Sequence, residues 1–326
     1  MAAIDVCRSG TPDIAIAAGR EALQAFAEPP MLLRVDQFMV DLVSGLPATP
    51  ARSAAIYHLQ TGGHRMRAKL ALASGADRLN AQDNIAAAAA CELLHNASLV
   101  HDDISDRDEY RRGKPTVRAL HGNDVALCAG DLLLTSAFRA ASSIDDAETA
   151  RRLTAFMAEH AGRVIGGQSV ELAGKRSPAP HGVAEYLRAT REKTSPLIEL
   201  ALNVGIATPD RARYSPALSR AVAEAIGLAY QILDDMDDLQ DLAPEQAAKC
   251  LHSLHAWWHH QPPGRSGDIA CVHGRCLRHA HAALARGARL GARLPDPLSH
   301  DVAELIERLA GKASQIARTS PPVPEG

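Results

Sequence analysis

The chain carries the pattern Asp-Asp-x-x-Asp twice, at residues 102–106 and at residues 234–238. Each copy follows an apolar stretch, "ELLHNASLV" in the first case and "AIGLAYQIL" in the second, whose apolar residues repeat every three or four positions. Carboxylates one helical turn apart repel each other and raise each other's pKa unless a cation lies between them. The pattern therefore predicts two helices that each present clustered carboxylates to a metal ion.

Helices are predicted along nearly the whole chain. Aromatic residues make up only 3% of the sequence, while alanine, leucine and arginine recur throughout, so intrinsic propensities favour helices over strands. Proline, glycine and polar clusters predict breaks near residues 47–50, 75–80, 174–182, 207–216 and 259–267. We therefore expect an all-α protein, with a single domain over residues 1–318 and a disordered tail over residues 319–326.

The chemistry of the acidic residues favours magnesium. Carboxylate oxygens without histidine or thiolate companions suit Mg²⁺, which commonly shares its coordination shell with substrate phosphates. A solvated helix end is the alternative for one such motif, but two copies favour a metal site. A calcium-binding EF-hand loop would need a glycine and a bidentate glutamate at loop spacing. A histidine-aspartate phosphohydrolase beginning at His101 would need further metal-binding histidines, which the sequence does not identify.

Basic residues supply the opposite charge. The segment "GGHRMR" places Arg65 and Arg67 after a glycine pair, and Arg111 and Arg112 follow the first acidic motif. Guanidinium groups bind phosphate oxygens through paired hydrogen bonds. Diphosphates bound by metal and diphosphates bound by arginine could then occupy adjoining sites, which predicts two diphosphate substrates.

Charge and cysteine content exclude several other classes. A formal net charge of -3 argues against a general nucleic-acid binder. Six scattered cysteines indicate reduced thiols, and the sequence shows neither a signal peptide nor an apolar run suited to a membrane span, so we expect a cytoplasmic protein. A cluster after residue 270 could mimic a zinc set, but a histidine-rich helix surface is the favoured interpretation; its members are Cys271, His273, Cys276, His279 and His281.

Seven segments resemble, in order and spacing, the motifs of the trans-isoprenyl diphosphate synthases, which are head-to-tail prenyltransferases. They are "GGHRMR", "ELLHNASLVHDDISD", "RRGKPT", "GNDVALCAGDLLL", "GGQSVEL", "EKTSPLIELAL" and "GLAYQILDDMDD", between about residues 60 and 240. The resemblance implies an isoprenoid-synthase-type bundle of antiparallel helices around a deep central cavity, and a homodimer. It also implies three Mg²⁺ ions, with metal ligands at Asp102, Asp103, Asp106, Asp234, Asp235 and Asp238.

The resemblance further implies two substrates, isopentenyl diphosphate and an allylic diphosphate. Residues matching the allylic site are Arg111, Lys193, Thr194 and Gln231, and those matching the isopentenyl diphosphate site are His64, Arg67, His95 and Arg112. Lys193 joins Asp102, Asp103, Asp106, Asp234 and Asp235 as the expected catalytic residues. His64 replaces the lysine of most relatives, which predicts weaker binding of isopentenyl diphosphate or a different second substrate. The region after Asp238 is shortened, and Lys249 could replace a lysine missing there.

Product length is the least determined property. Residues preceding the first acidic motif limit elongation in similar enzymes, and the matching positions are Leu94, Ala97 and Ser98. The small side chain of Ala97 predicts a product longer than farnesyl, and geranylgeranyl diphosphate is the preferred product. Farnesyl or longer polyprenyl diphosphates are alternatives. A terpene cyclase and a catalytically silent partner subunit are the other function classes considered.

Overall fold

The computed structural model describes residues 30–174, 183–209, 214–238 and 269–319, which form twelve α-helices and one β-hairpin. The helices are α1 (Met31–Ser44), α2 (Pro50–Gln60), α3 (Met66–Gly75), α4 (Ala81–Asp106), α5 (Val117–Ser142), α6 (Ala147–Gly174), α7 (Val183–Lys193), α8 (Ser195–Leu202), α9 (Val204–Ala207), α10 (Pro216–Asp238), α11 (Ile269–Gly291) and α12 (Leu298–Thr319). Strands β1 (Tyr110–Arg111) and β2 (Lys114–Pro115) pair between α4 and α5. This part of the chain confirms the all-α prediction.

Helix α4 is the central helix. Asn80 begins it by accepting a hydrogen bond from the backbone N–H of Asp83 at 2.9 Å, as an N-cap residue does. Ala86 to Ala90 are all buried, and their small side chains let neighbouring helices approach closely. Helices α1, α3, α5, α6 and α8 all pack against α4. Helix α4 is therefore surrounded by other helices for much of its length.

The β-hairpin reverses the direction of the chain directly after the first acidic motif. Its two turn residues, Arg112 and Gly113, have φ angles of 55° and 72°. A two-residue hairpin turn in which both φ angles are positive matches the right-handed twist of the strands. Thr116 then begins α5, accepting a hydrogen bond from the backbone N–H of Ala119 at 3.1 Å. The "RRG" sequence is thus a turn as well as a source of positive charge.

The second acidic helix, α10, packs against α7, α8, α11 and α12. Helix α8 contacts both α4 and α10, so it connects the two acidic helices. Helix α12, the last described helix, contacts α3 as well as α10. The carboxyl-terminal part of the chain therefore lies beside the second acidic motif.

The predicted breaks at residues 47–50 and 75–80 separate α1 from α2 and α3 from α4, as expected. Residues 175–182 and 239–268 lie outside the described ranges, and with them most of two other predicted breaks, Lys249 and the shortened region after Asp238. Most of the predicted tail also lies outside. The single-domain prediction for residues 1–318 stays a prediction.

Helix α5 bears on the prediction of no membrane span. Among the described helices, α5 is the one long and apolar enough to cross a bilayer by length and composition. Its backbone breaks at Gly122, where φ is 78°, and it packs along α4 and α2. Buried core helices of other proteins share this length and composition, so α5 argues only weakly against the prediction, which remains an expectation.

A buried acidic residue, Glu199 of α8, joins three helices. Its Oε2 atom accepts a hydrogen bond from Arg163 Nη1 of α6 at 2.8 Å, and its Oε1 atom accepts one from Arg220 Nε of α10 at 3.1 Å. His160 Nε2 lies 3.6 Å from Oε1. Burial alone would raise the pKa of Glu199, but the contacts with His160 and Arg163 outweigh it and lower the pKa to about 2. The carboxylate is therefore charged whenever the protein is folded at neutral pH.

We expect Glu199→Gln to lower the free energy of unfolding by about 3 kcal/mol at pH 7, because it leaves the surrounding cations without their buried counter-charge. Since the folded pKa of Glu199 is lowered from 4.5 to about 2, its contribution is complete above about pH 4.5 and is lost as pH falls through about 2. Urea unfolding between pH 3 and 7 measures both effects. Glu148→Gln is the matched control: Glu148 pairs with Arg151 and Arg152 on the surface, and its loss should leave stability nearly unchanged. Equal losses of stability in the two variants would contradict the stabilising role of the buried Glu199 carboxylate.

Candidate active site

The first acidic motif forms the last turn of α4. Asp103 is 1% exposed, and its Oδ1 atom accepts hydrogen bonds from Arg111 Nε at 2.7 Å and approaches Arg111 Nη2 at 2.6 Å. Asp102, the preceding residue, is partly exposed, and its Oδ2 atom lies 3.9 Å from Lys193 Nζ of α7. Asp106 lies one turn further on, at the end of the helix. The three predicted ligands are therefore neighbours, but only Asp103 is locked by a buried ion pair.

Burial dominates the electrostatics of this motif. Burial raises the pKa of Asp102 to about 6, and Asp106 and Glu171 add to the rise, against the opposing effects of Lys193 and Arg111. Burial also raises the pKa of Asp103, in spite of its bonds to Arg111. The buried Oδ2 atom of Asp103 accepts no hydrogen bond from the residues that the structure describes. An additional cation would satisfy both carboxylates, and oxygen donors of this kind suit magnesium.

The second acidic motif forms the last turn of α10. Asp235 is buried and fully engaged, because Gln231 Nε2 donates to its Oδ1 atom at 2.7 Å and the Tyr186 hydroxyl donates to its Oδ2 atom at 2.8 Å. Asp234 is less buried, and its Oδ1 atom lies 3.4 Å from Lys312 Nζ of α12. Burial raises the pKa of Asp234, opposed by Lys312. Asp238 ends α10, and its side chain lies outside the described part of the chain.

Two consecutive residues link the acidic motifs. Lys193, the last residue of α7, donates to Glu171 Oε2 of α6 at 3.1 Å and lies beside Asp102. Thr194 donates its hydroxyl hydrogen to Gln231 Oε1 at 2.9 Å, and Gln231 in turn donates to Asp235. Lys193 therefore lies beside the first motif, while Thr194 reaches the second motif through Gln231. The predicted grouping of Lys193, Thr194 and Gln231 is present in the structure.

The predicted basic residues also meet. His95 of α4 lies within the electrostatic reach of Arg67, Arg111 and Arg112, and burial together with these arginines lowers the pKa of His95 well below 6.5. Burial and the neighbouring Arg112 likewise lower the pKa of His58 to about 3. Both imidazoles are therefore neutral at pH 7, and the positive charge of this cluster comes from the arginines. Arg67 Nε is buried without a hydrogen-bond partner among the described residues.

A buried glutamate positions the "GGHRMR" loop. Glu92 Oε2 accepts a hydrogen bond from the backbone N–H of Ala68 at 3.1 Å, in the first turn of α3, and Glu92 Oε1 lies 3.7 Å from Arg65 Nη1. Arg65 also donates from Nε to Asp36 Oδ1 at 2.7 Å and from Nη2 to the carbonyl of Leu59 at 2.8 Å. Arg65 is thus a structural residue of the loop.

The loop and the hairpin turn are in direct contact. Arg112 Nη1 donates a hydrogen bond to the carbonyl of Gly62, and its guanidinium lies against Gly63. Gly63 has a φ of 141°, and a Cβ atom built there would lie 2.5 Å from Arg112 Nη1. The second glycine of the pair therefore leaves room for the guanidinium. His64 is exposed in the same loop.

Sequence reasoning missed three residues that contact the site. Tyr186 lies seven residues before Lys193, two helical turns away, so helical periodicity could have identified it. Glu92 is part of a quoted motif but gave no signal of its own. Lys312 lies in a helix without any motif, and no pattern pointed to it. The structure buries Leu94 and Ala97 and half-buries Ser98, in agreement with inward-facing positions on α4.

The possible zinc set on α11 does not share one face. His273 and Cys276 are buried, whereas His279 and His281 are exposed, and the side chain of Cys271 is not described. The described residues hold no group of three histidine, cysteine or acidic side chains with the geometry of a bound metal. The prediction of a histidine-rich helix surface therefore holds for His279 and His281, whereas His273 and Cys276 face inward.

Comparison with known proteins identifies the same class of fold and sequence. Residues 49–251 match the family model for polyprenyl synthetase. The chain is 35% identical over 188 residues to a short chain isoprenyl diphosphate synthase of Methanocaldococcus jannaschii, covering 57% of each chain. It is 33% identical over 211 residues to a geranylfarnesyl diphosphate synthase of Aeropyrum pernix, covering 62% of this chain and 65% of that one. The matched segments thus span less than two thirds of these relatives.

A solved structure extends the similarity to most of the chain. The geranylgeranyl pyrophosphate synthetase of the archaeon Geoglobus acetivorans superposes with a TM-score of 0.73 and 25% sequence identity. The superposition covers 84% of this chain and 96% of that one. The isoprenoid-synthase fold expected from the sequence is therefore confirmed.

The contact between Gly63 and Arg112 yields a binding prediction. Gly63→Ala should displace the guanidinium and weaken binding of inorganic diphosphate by about tenfold, the value of one charge-assisted hydrogen bond. Isothermal titration without divalent metal measures this site, because unmetallated acidic clusters repel the anion. Gly62→Ala is the control: Gly62 also has a positive φ, of 85°, but a Cβ there meets nothing within 4 Å. An equal loss in both variants would indicate backbone strain rather than displacement of Arg112.

Proposed function

This chain belongs to the polyprenyl synthetase family, and on that premise we propose that it condenses isopentenyl diphosphate head to tail with an allylic diphosphate. The observation that carries the proposal is the pairing of two acidic motifs, linked through Lys193 and Thr194, with a separate arginine cluster. Two chemically different anion sites suit two diphosphates. The relatives' names, which describe isoprenyl and geranylfarnesyl diphosphate synthases, support the same reaction.

The acidic motifs are the proposed magnesium site. Asp102, Asp103, Asp106, Asp234, Asp235 and Asp238 would hold up to three ions, as in similar enzymes. Asp102 and Asp234 are the strongest candidates for direct ligands, because each has a raised pKa and its side chain is more exposed than that of the aspartate that follows it. Asp235 already accepts two hydrogen bonds and would serve chiefly to orient the motif. Bound magnesium would neutralise negative charge that develops on the leaving diphosphate.

The remaining residues divide between the two substrates. Lys193, Thr194, Gln231 and Arg111 surround the acidic motifs and would hold the allylic diphosphate. Arg67, Arg112 and His95 would hold isopentenyl diphosphate, with Arg67 and Arg112 supplying the charge and the neutral His95 supplying a hydrogen bond. His64 lies in the adjoining loop, where an imidazole would contribute less charge than a lysine.

These groups suit an ionisation mechanism. Cations around the allylic diphosphate favour breakage of its carbon–oxygen bond, and a site closed to water protects the resulting carbocation. The double bond of isopentenyl diphosphate then attacks the allylic carbon, forming the new carbon–carbon bond. The released diphosphate can accept the proton lost in the final step, so no side chain needs to act as the base.

A homodimer is also proposed. Four large apolar side chains are exposed on the adjoining helices α5 and α6: Leu120, Leu127, Ile165 and Val170. Removing them from water would favour association, and helices α5 and α6 offer one continuous surface for a second copy.

The other function classes fit less well. A terpene cyclase would not need the second cationic cluster formed by Arg67 and Arg112. A silent partner subunit would be expected to have lost an acidic motif, whereas Asp102, Asp103, Asp234 and Asp235 are all present. The exposed His64, which replaces the lysine of most relatives, is the feature that favours a silent partner subunit.

The test is an assay with labelled isopentenyl diphosphate and dimethylallyl, geranyl or farnesyl diphosphate in turn. We expect elongated products that require magnesium and disappear on chelation. Asp102→Ala and Asp234→Ala should each lower turnover at least about a hundredfold while helix content is unchanged, because charge stabilisation is lost. Asp41→Ala, an exposed acid on α1, is the matched control. Full turnover by either site variant would refute the metal assignment, and cyclised products would indicate a cyclase.

Product length is proposed to depend on α4. Ala97 and Leu94 lie roughly 7 Å and 12 Å from Asp102 along the helix axis at 1.5 Å of rise per residue. Both side chains are buried, and both residues lie on the N-terminal side of the acidic end of α4. The methyl group of Ala97 leaves space for a growing chain, whereas Leu94 is a candidate floor. We therefore infer a geranylgeranyl product, with farnesyl or longer chains as alternatives.

Ala97→Phe should shift the products toward shorter chains, because its ring would fill the volume that the next isoprene unit needs. Leu94→Ala should lengthen them, since it lowers the floor. Chromatographic sizing of labelled products at comparable turnover measures both. The control is Leu99→Ala, the same truncation roughly 140° round the helix from Leu94, which should leave product length unchanged. An unaltered distribution in Ala97→Phe would exclude Ala97 from the elongation cavity.

A further inference from the structure

Lys312 of α12 contacts two carboxylates in the second acidic segment. Its Nζ atom lies 3.4 Å from Asp234 Oδ1 and 3.0 Å from Asp237 Oδ2. Its side chain is 32% exposed, so Lys312 lies near the protein surface and not in the core. Packing of α12 against α10 holds this contact between residues 78 positions apart.

The phenol of Tyr230 lies within the electrostatic reach of Lys312 and of the arginine cluster. Tyr230 lies one helical turn before Asp234 on α10. Burial and Asp234 raise the pKa of its phenol, while Arg67, Lys312 and Arg112 oppose the rise. Lys312 and the two arginines therefore act on the same phenol.

Both acidic motifs have the same arrangement. In each, one aspartate is buried and held by hydrogen bonds, namely Asp103 and Asp235. The preceding aspartate is more open and faces a lysine from another helix: Asp102 faces Lys193, and Asp234 faces Lys312. The role proposed for Lys193 in diphosphate binding thus has a structural counterpart at the second motif.

A lysine in this position can exchange partners. The ammonium has three N–H donors on a flexible four-carbon stem. Before substrate binds, it balances the charges of Asp234 and Asp237. At Asp234 the ammonium would compete with a divalent cation for the carboxylate and would be repelled by it once bound. A diphosphate arriving with the cation offers the ammonium new oxygen acceptors.

We propose, building on the function proposed above, that Lys312 is a positioning residue that makes metal binding at Asp234 depend on the diphosphate. Lys312 holds Asp234 and Asp237 before binding, and turns to a phosphate oxygen when metal and diphosphate arrive together. The carboxyl-terminal helix thereby contributes to the diphosphate site.

Two isothermal titrations on the full-length protein test this role, one with magnesium chloride alone and one with inorganic diphosphate at saturating magnesium. Lys312→Met removes the charge and keeps the aliphatic stem. We expect this variant to bind magnesium alone about threefold more tightly, the scale of an exposed ion pair. It should bind magnesium diphosphate about tenfold more weakly, the scale of one charged hydrogen bond. Lys312→Arg should retain diphosphate binding within about threefold.

Arg318→Met is the matched control, because it removes one exposed positive charge from the same helix away from the site, and it should change neither affinity. A merely structural lysine would lower the melting temperature and weaken both affinities together. Changes of the same sign in Lys312→Met, or no change in either affinity, would overturn this role for Lys312. If the wild-type protein does not bind magnesium diphosphate, the proposed function itself is refuted. If the wild-type protein binds it but the Lys312→Met affinities do not move in opposite directions, only the role of Lys312 is refuted.

Discussion

The ion pair between Asp103 and Arg111 is the contact on which the rest of the site depends. Asp103 lies in the last turn of the central helix with its carboxylate buried, and Arg111 reaches it from the following strand. Loss of either partner would leave a buried charge uncompensated, at a cost of about 3–5 kcal/mol. Because Arg111 immediately precedes the hairpin turn, the same pair determines where Arg112 lies, and Arg112 in turn contacts the Gly62–Gly63 loop.

Like charges are tolerated here because each acidic motif divides its residues between two tasks. Adjacent aspartates point about 100° apart on a helix, so one can face the interior while its neighbour faces the opening. The inner residues, Asp103 and Asp235, are held by protein donors. The outer residues, Asp102 and Asp234, keep raised pKa values and face single lysines. This division leaves the outer carboxylates available to a cation without loosening the helix ends.

The cationic side of the site clusters positive charges, as the acidic motifs cluster negative ones. Burial lowers the pKa of both Arg67 and Arg112; the charge of Arg112 adds to the fall at Arg67, those of Arg65 and Arg111 add to it at Arg112, and Glu92 opposes it at both. Arg65 and Arg112 also adopt left-handed backbone conformations, with φ angles of 49° and 55°. Such conformations cost on the order of 1–3 kcal/mol each and persist where surrounding contacts enforce them. Strain and uncompensated charge therefore coincide at the place where an anion would relieve the repulsion.

The sequence by itself determined the helical class and the two acidic motifs, because helical periodicity and local charge are properties of neighbouring residues. The grouping of Lys193, Thr194 and Gln231 came instead from the resemblance of their motifs to those of a known family. The sequence also identified Arg65, Arg67, Arg111 and Arg112 as basic residues that complement the acidic motifs, and the resemblance placed Arg67, His95 and Arg112 at the isopentenyl diphosphate site. Only the tertiary structure decided that Asp103 and Asp235 are held by Arg111 and by Tyr186 with Gln231 while Asp102 and Asp234 remain open. Only the tertiary structure brought Lys312 to Asp234, because a contact across 78 positions depends on how α12 packs on α10, and no local pattern in the chain encodes that packing.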